Sequence, residues 1–148
     1  MIKDLNALIE IAKLIQIANP ETILSGSLAL NMQDVKTRRE VKDLDFFIPF
    51  GVKINLIQGM RFSPPNERDE MYENEFYELI KCTYNNVEID FFKPVDADVK
   101  GVESNTVKGV KVVYFIDILR MKFMHVFGEH YTRFKHVQDL QFILSNIS

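Results

Sequence analysis

Apolar positions along residues 2–18, "IKDLNALIEIAKLIQIA", recur at helical spacing through Leu5, Leu8, Ile9, Ala12 and Ile15, and Asn19-Pro20 stops the pattern. The spacing predicts a helix. "TILSG" then reads as a short buried strand, and "SLALNMQ" as a short helix opened by an N-capping serine. Alternation in "DLDFFIP" predicts a strand ended by Pro49, and residues 52–60 read as a further short helix. The strongest local signal is "FYELIKCTY-NN-VEIDFF", two β-rich runs around Asn85-Asn86, a pair that tolerates the positive φ of a two-residue hairpin turn. Residues 107–113, "VKGVKVV", predict one last strand. Two helices follow at roughly 115–127 and 131–146, separated near Gly128. The order is α+β: a small mixed β-sheet with flanking helices and a C-terminal helix pair.

Composition narrows the setting. A length of 148 residues, 47% hydrophobic and 26% charged, suits one globular domain. We expect a single domain over 1–148, with a core at about 20–95 and a helical part at about 114–147. No apolar run approaches the roughly 18 residues of a membrane helix. The first residues carry acids inside their apolar pattern and lack a signal-peptide core. One cysteine, Cys82, excludes an internal disulfide framework and fits a reducing cytoplasm. Charge is unevenly spread. Residues 1–99 hold 11 Lys/Arg against 17 Asp/Glu, whereas residues 100–136 hold 7 against 3. The chain lacks the strong basic excess of a DNA-coating protein, so no DNA partner is expected, although its basic C-terminal third could meet a polyanion locally.

Three carboxylates carry the chemistry. Asp43 and Asp45, two residues apart in a strand, project from one face while Leu44 and Phe46 project from the other. Asp is a poor strand former, and two on one face repel each other unless water or a cation intervenes. Asp90 stands alone between Ile89 and Phe91 on the second hairpin strand, where an unpaired charge near a core edge is costly. Converging from adjacent strands, the three would make a hard-oxygen site suited to Mg2+ and to phosphate chemistry. Separately, each has an ordinary explanation: an exposed strand start, a partner for Arg38 or Arg39, a salt-bridged edge residue.

With these parts quoted, the sequence resembles the nucleotidyltransferase superfamily, the polymerase-beta-like fold. The resemblance rests on Gly26-Ser27 after a strand and before a helix, Asp43-Leu44-Asp45 on the next strand, and the lone acid of Ile89-Asp90-Phe91 on a later one. It is nearest to the abortive-infection AbiEii-like nucleotidyltransferases and their bacterial relatives, which share the Arg before Asp-Leu-Asp-Phe-Phe seen in "RREVKDLDFF". "DILRMKF" with Lys122 and "RFKHVQDLQFIL" with Lys135 and Asp139 resemble that family's C-terminal helix pair. The likeness spans about residues 22–146. It departs from the family in a 15-residue spacer between Ser27 and Asp43, in the lack of an added acceptor domain, and in "GSLALN", which differs from the Gly-Ser-x-Ala-Arg-Gly of minimal antitoxin nucleotidyltransferases.

The resemblance implies that Asp43, Asp45 and Asp90 are catalytic and bind Mg2+. Gly26, Ser27, Arg39 and Lys122 would meet the nucleoside triphosphate. An NMP would pass from the NTP to a hydroxyl on an unidentified acceptor, an RNA end or a protein, in a toxin–antitoxin or phage-defence setting with a toxin or antitoxin partner and no membrane. The alternative is a nucleotide-binding or regulatory module that keeps the fold without turnover. Arg39 could equally pair Asp45, and Lys122 could be a surface lysine. Glu88 shares a face with Asp90 as a supporting acid or a solvated hairpin residue. The acid-rich segment 67–78 reads as a solvated flap, Cys82 as a buried filler, and His125, His130 and His136 lack zinc-binding spacing.

Overall fold

A computed structural model describes residues 4–38, 40–63, 77–97, 103–120, 138 and 141–145. Helix α1 spans Leu5–Ala18, strand β1 Ile23–Ser25, helix α2 Gly26–Met32 and strand β2 Leu44–Phe47. Strands β3 (Arg61–Phe62), β4 (Tyr77–Tyr84), β5 (Val87–Pro94), β6 (Ser104–Val107) and β7 (Val110–Val113) complete one mixed sheet of order β3-β4-β5-β2-β1-β7-β6. Residues 115–120 and 141–145 are helical. Among the described residues no helix is long and apolar enough to cross a membrane.

The period-2 alternation of β2 and β5 sorts the sheet into two faces. Leu44, Phe46, Ile89 and Phe91 are buried, and so are Leu24 and Cys82 on the neighbouring strands. Phe46 and Phe91 stack with ring centroids 5.5 Å apart. The apolar stripe of α1 (Leu8, Ile9, Ala12, Ile15) and Leu28, Ala29 and Leu30 of α2 join the same buried cluster. Polar side chains hold the layers in register. Gln16 on α1 donates to Lys111 O (2.8 Å) and Thr22 O (3.2 Å) and accepts from Lys111 N (2.9 Å), tying the helix to β7. Gln33 donates to Val113 O (2.8 Å) and accepts from Phe115 N (3.0 Å), fixing where the C-terminal helical part begins.

The hairpin expected around Asn85-Asn86 forms as read: both residues have positive φ (48° and 63°), and Tyr84 pairs with Val87. Three expectations change. Residues 52–60 are not helical: the Asn19 side chain takes both backbone groups of Asn55, accepting from its N–H (2.6 Å) and donating to its carbonyl (2.9 Å). Residues 107–113 are not one strand but part of a second hairpin, since Lys108 and Gly109 take φ of 51° and 81° and make a two-residue turn between β6 and β7. Helix α2 is capped two residues earlier than expected: Ser25 holds the cap position without a side-chain cap bond, and Ser27 lies inside the helix. The remainder of the C-terminal helix pair, with Gly128, and residues 67–76 of the acid-rich segment lie outside the described residues.

Gly26 is demanded twice over. Its φ of +68° disfavours any residue with a Cβ, and a Cβ built there would overlap Asp45 Oδ2 and lie 3.1 Å from Asp45 Cγ. Gly26→Ala should therefore lower unfolding stability by about 1–3 kcal/mol and push the Asp45 carboxylate aside. Urea denaturation checks this as a fall in midpoint at unchanged slope.

Candidate functional site

Strand pairing builds the site in a single row across the sheet. Ser25 pairs with Asp45 (β1 with β2), Asp45 with Asp90 (β2 with β5), and Asp90 with Lys81 (β5 with β4). Directly paired residues on neighbouring strands point to the same face, so these four side chains share one face, opposite the Phe46–Phe91 stack. Ser25 is buried and Asp45 half-buried. Asp43 lies one residue before β2, exposed, with its charge close enough to Asp90 to raise that carboxyl's pKa.

Asp90 is the most constrained member. Its side chain is 19% exposed and that of Lys81 12%, with Lys81 Nζ 3.3 Å from Asp90 Oδ1. Glu88 lies 3.9 Å from the same ammonium. Oδ1 is out of contact with solvent and receives no hydrogen bond of good geometry, so its neighbour is an ion-pair partner rather than an aligned donor. Burial raises the pKa of Asp90. Lys81 opposes that by charge and contact, while Glu88 and Asp43 add to the rise, and the net shift is upward. Cys82, the next residue along β4, is buried on the opposite face; burial and then the charge of Asp90 push its thiol up to about 11, which keeps it an inert filler.

The expected site residues separate into groups. Gly26, Asp45 and Asp90 are brought together, with Asp43 at the rim. Ser27 is half-buried in the first turn of α2, its carbonyl accepting from Asn31 Nδ2 at 2.8 Å. Arg39 and Lys122 lie outside the described residues, as do Lys135, Asp139 and the three histidines. Lys81 is the residue that reading the chain passed over. A two-residue turn at 85–86 fixes hairpin register, so counting outward from it already puts Lys81 opposite Asp90.

Among the described residues, no three His, Cys, Asp or Glu side chains gather closely enough to form a ready-made metal site. The donors nevertheless suit a hard divalent cation. They are the carboxylate oxygens of Asp43 and Asp45, and Gly26 lacks the Cβ that would crowd Asp45 Oδ2.

No family model and no curated protein matches this chain by sequence. Solved structures do match in shape. JHP933 from Helicobacter pylori superposes with a TM-score of 0.57 at 18% identity, covering 99% of this chain and 69% of its own. A candidate nucleotidyltransferase from H. pylori gives 0.56 at 19%, covering 97% and 68%. ANT(2")-Ia, an aminoglycoside nucleotidyltransferase solved in complex with adenylyl-2"-tobramycin, gives 0.54 at 12%, covering 95% and 88%. At these identities the likeness concerns the fold, and the fold of this chain is nucleotidyltransferase-like.

Proposed function

We propose that this protein is a Mg2+-dependent nucleotidyltransferase that moves an NMP from an NTP to a hydroxyl acceptor. The observation that carries the reading is the row that sets Asp45 beside Asp90 with Gly26 packed on Asp45. A shape neighbour holding an adenylylated aminoglycoside supports the reaction class. Asp43 and Asp45 are the residues that would hold the cation, and the cation would offset the triphosphate's negative charge at the reacting phosphorus. Gly26, with its positive φ and no side chain, lets phosphate oxygens approach the backbone at the start of α2, where Ser27 adds a hydroxyl. Asp90 acts as general base. Its oxygen takes the proton of the acceptor hydroxyl, the acceptor oxygen bonds to the α-phosphorus, and the bond to the leaving pyrophosphate breaks. A carboxyl raised by burial is better matched to that task near neutral pH than an ordinary one.

An RNA end or a protein is our proposed acceptor, docking on the basic 100–136 segment, and Arg39 and Lys122 are proposed triphosphate contacts. A toxin–antitoxin or phage-defence role, as in the AbiEii-like family, and a cytoplasmic setting suited to a lone cysteine belong to the same reading. Lys81 against Asp90 favours a second reading, a nucleotide-binding module without turnover, because an ion-paired carboxylate is a weaker base.

One experiment separates the two. The protein is incubated with Mg2+, each labelled NTP, and total cellular RNA and protein. Label should move to an acceptor, Asp45→Asn should lose both nucleotide affinity and transfer, and Asp90→Asn should lose about 10²-fold or more in rate with little change in affinity. Nucleotide binding that depends on Asp45 without any transfer would establish the module instead.

The raised pKa of Asp90 also predicts a stability effect that needs no ligand. Because its folded pKa lies above its unfolded one, Asp90 favours the folded state below the ordinary carboxylate range, and that contribution disappears as pH rises through the raised value. Asn cannot ionise. Melting in EDTA should thus show Asp90→Asn gaining on the wild type over the range that begins at the ordinary carboxylate value, about pH 4, and runs upward through the raised one. A constant difference across that range would contradict the burial-driven shift.

A further inference from the structure

Lys81 is absent from the scheme above, yet it completes the row. It stands opposite Asp90 in the β4–β5 ladder, only 12% exposed, with its ammonium 3.3 Å from Asp90 Oδ1 and 3.9 Å from Glu88. An ammonium so withdrawn from water is stable only against negative charge, and Asp90 Oδ1, buried and without a hydrogen bond, needs a cation for the same reason. A divalent ion settling on Asp90 would have to expel that ammonium or sit beside it. Either arrangement strands positive charge in a half-buried place.

We propose that Lys81 is a positioning residue that takes, at Asp90, the place a second cation would occupy, so that the site works with one divalent cation held by Asp43 and Asp45. The proposal rests on the nucleotidyltransferase reading and refines it. Lys81 holds the Asp90 carboxylate in a fixed direction on the shared face, leaving the neighbouring Asp45 to the cation. Glu88, 3.9 Å from the ammonium, is its second acidic neighbour.

Mn2+ binding to the full chain without nucleotide, followed by electron paramagnetic resonance and calorimetry, tests this. The wild type should bind one Mn2+. Asp45→Asn should weaken that binding roughly tenfold or more, whereas Asp90→Asn should keep the single site and shift its Kd by less than about threefold. Lys81→Met should acquire a second Mn2+ at the vacated carboxylates, and Lys81→Arg, which keeps the charge, should stay at one. Two Mn2+ ions on the wild type, one of them lost in Asp90→Asn, would overturn the role given to Lys81 and leave the nucleotidyltransferase reading standing. A single Mn2+ on a folded Lys81→Met would also overturn it. If Lys81→Met fails to fold, judged by near-ultraviolet circular dichroism, the comparison of wild type with Asp90→Asn still decides. Binding that is absent, or indifferent to Asp45→Asn, would instead overturn the assignment of Asp43 and Asp45, and this proposal with it.

Discussion

The parallel pairing of β2 with β5 is the constraint on which the site depends. It sets Leu44 beside Ile89 and Phe46 beside Phe91 on one face, and by the same register sets Asp45 beside Asp90 on the other. Slipping the pairing by one residue would turn Phe46 outward and an aspartate inward, so core packing and acid placement enforce each other. Two neighbouring carboxylates repel, and the stacked phenylalanines with the buried aliphatic residues hold them together regardless. The acid-bearing face is held in place by the apolar one.

Around that row, the fold supplies what two adjacent acids lack. Lys81 brings positive charge from the hairpin partner of β5, and Gly26 leaves room over Asp45 from the strand-to-helix turn after β1. Lys81 comes from the strand next to Asp90, and Gly26 directly follows the strand next to Asp45. The Gln16 and Gln33 bridges tie in the helices, each satisfying backbone groups on or beside β7 that would otherwise be left without partners as the layers close.

Shape and chemistry carry different weight in the reading. Superposition on structures at 12% to 19% identity establishes a nucleotidyltransferase-like fold, and a fold accommodates many activities. What distinguishes this chain lies in particular atoms: a buried Oδ1 on Asp90, a carboxyl raised by desolvation, and a glycine whose missing Cβ makes room for Asp45. Lys81 bears on both the catalytic and the non-catalytic reading, because the same ammonium that orients Asp90 also weakens it as a base.

What the chain determined by itself was whatever rests on neighbours in sequence. The period of α1, the Asn85-Asn86 turn, the alternation that sorts Asp45 from Leu44 and Phe46, and even the pairing of Lys81 with Asp90 follow from local spacing, because a helix or a two-residue hairpin closes within its own residues. Tertiary structure decided the rest. Nothing local tells β2 to lie parallel to β5, or β1 to pair with both β2 and β7, since those ladders join segments dozens of residues apart and are chosen by which apolar faces fit together. Residues 52–60 lost their expected helix to a side chain far up the chain, Asn19, which takes the backbone groups of Asn55. That three acids are present could be read from the residues alone. That Asp90 is half-buried, raised in pKa and already held by a lysine required the sheet, because burial and charge at a point depend on every strand that passes it.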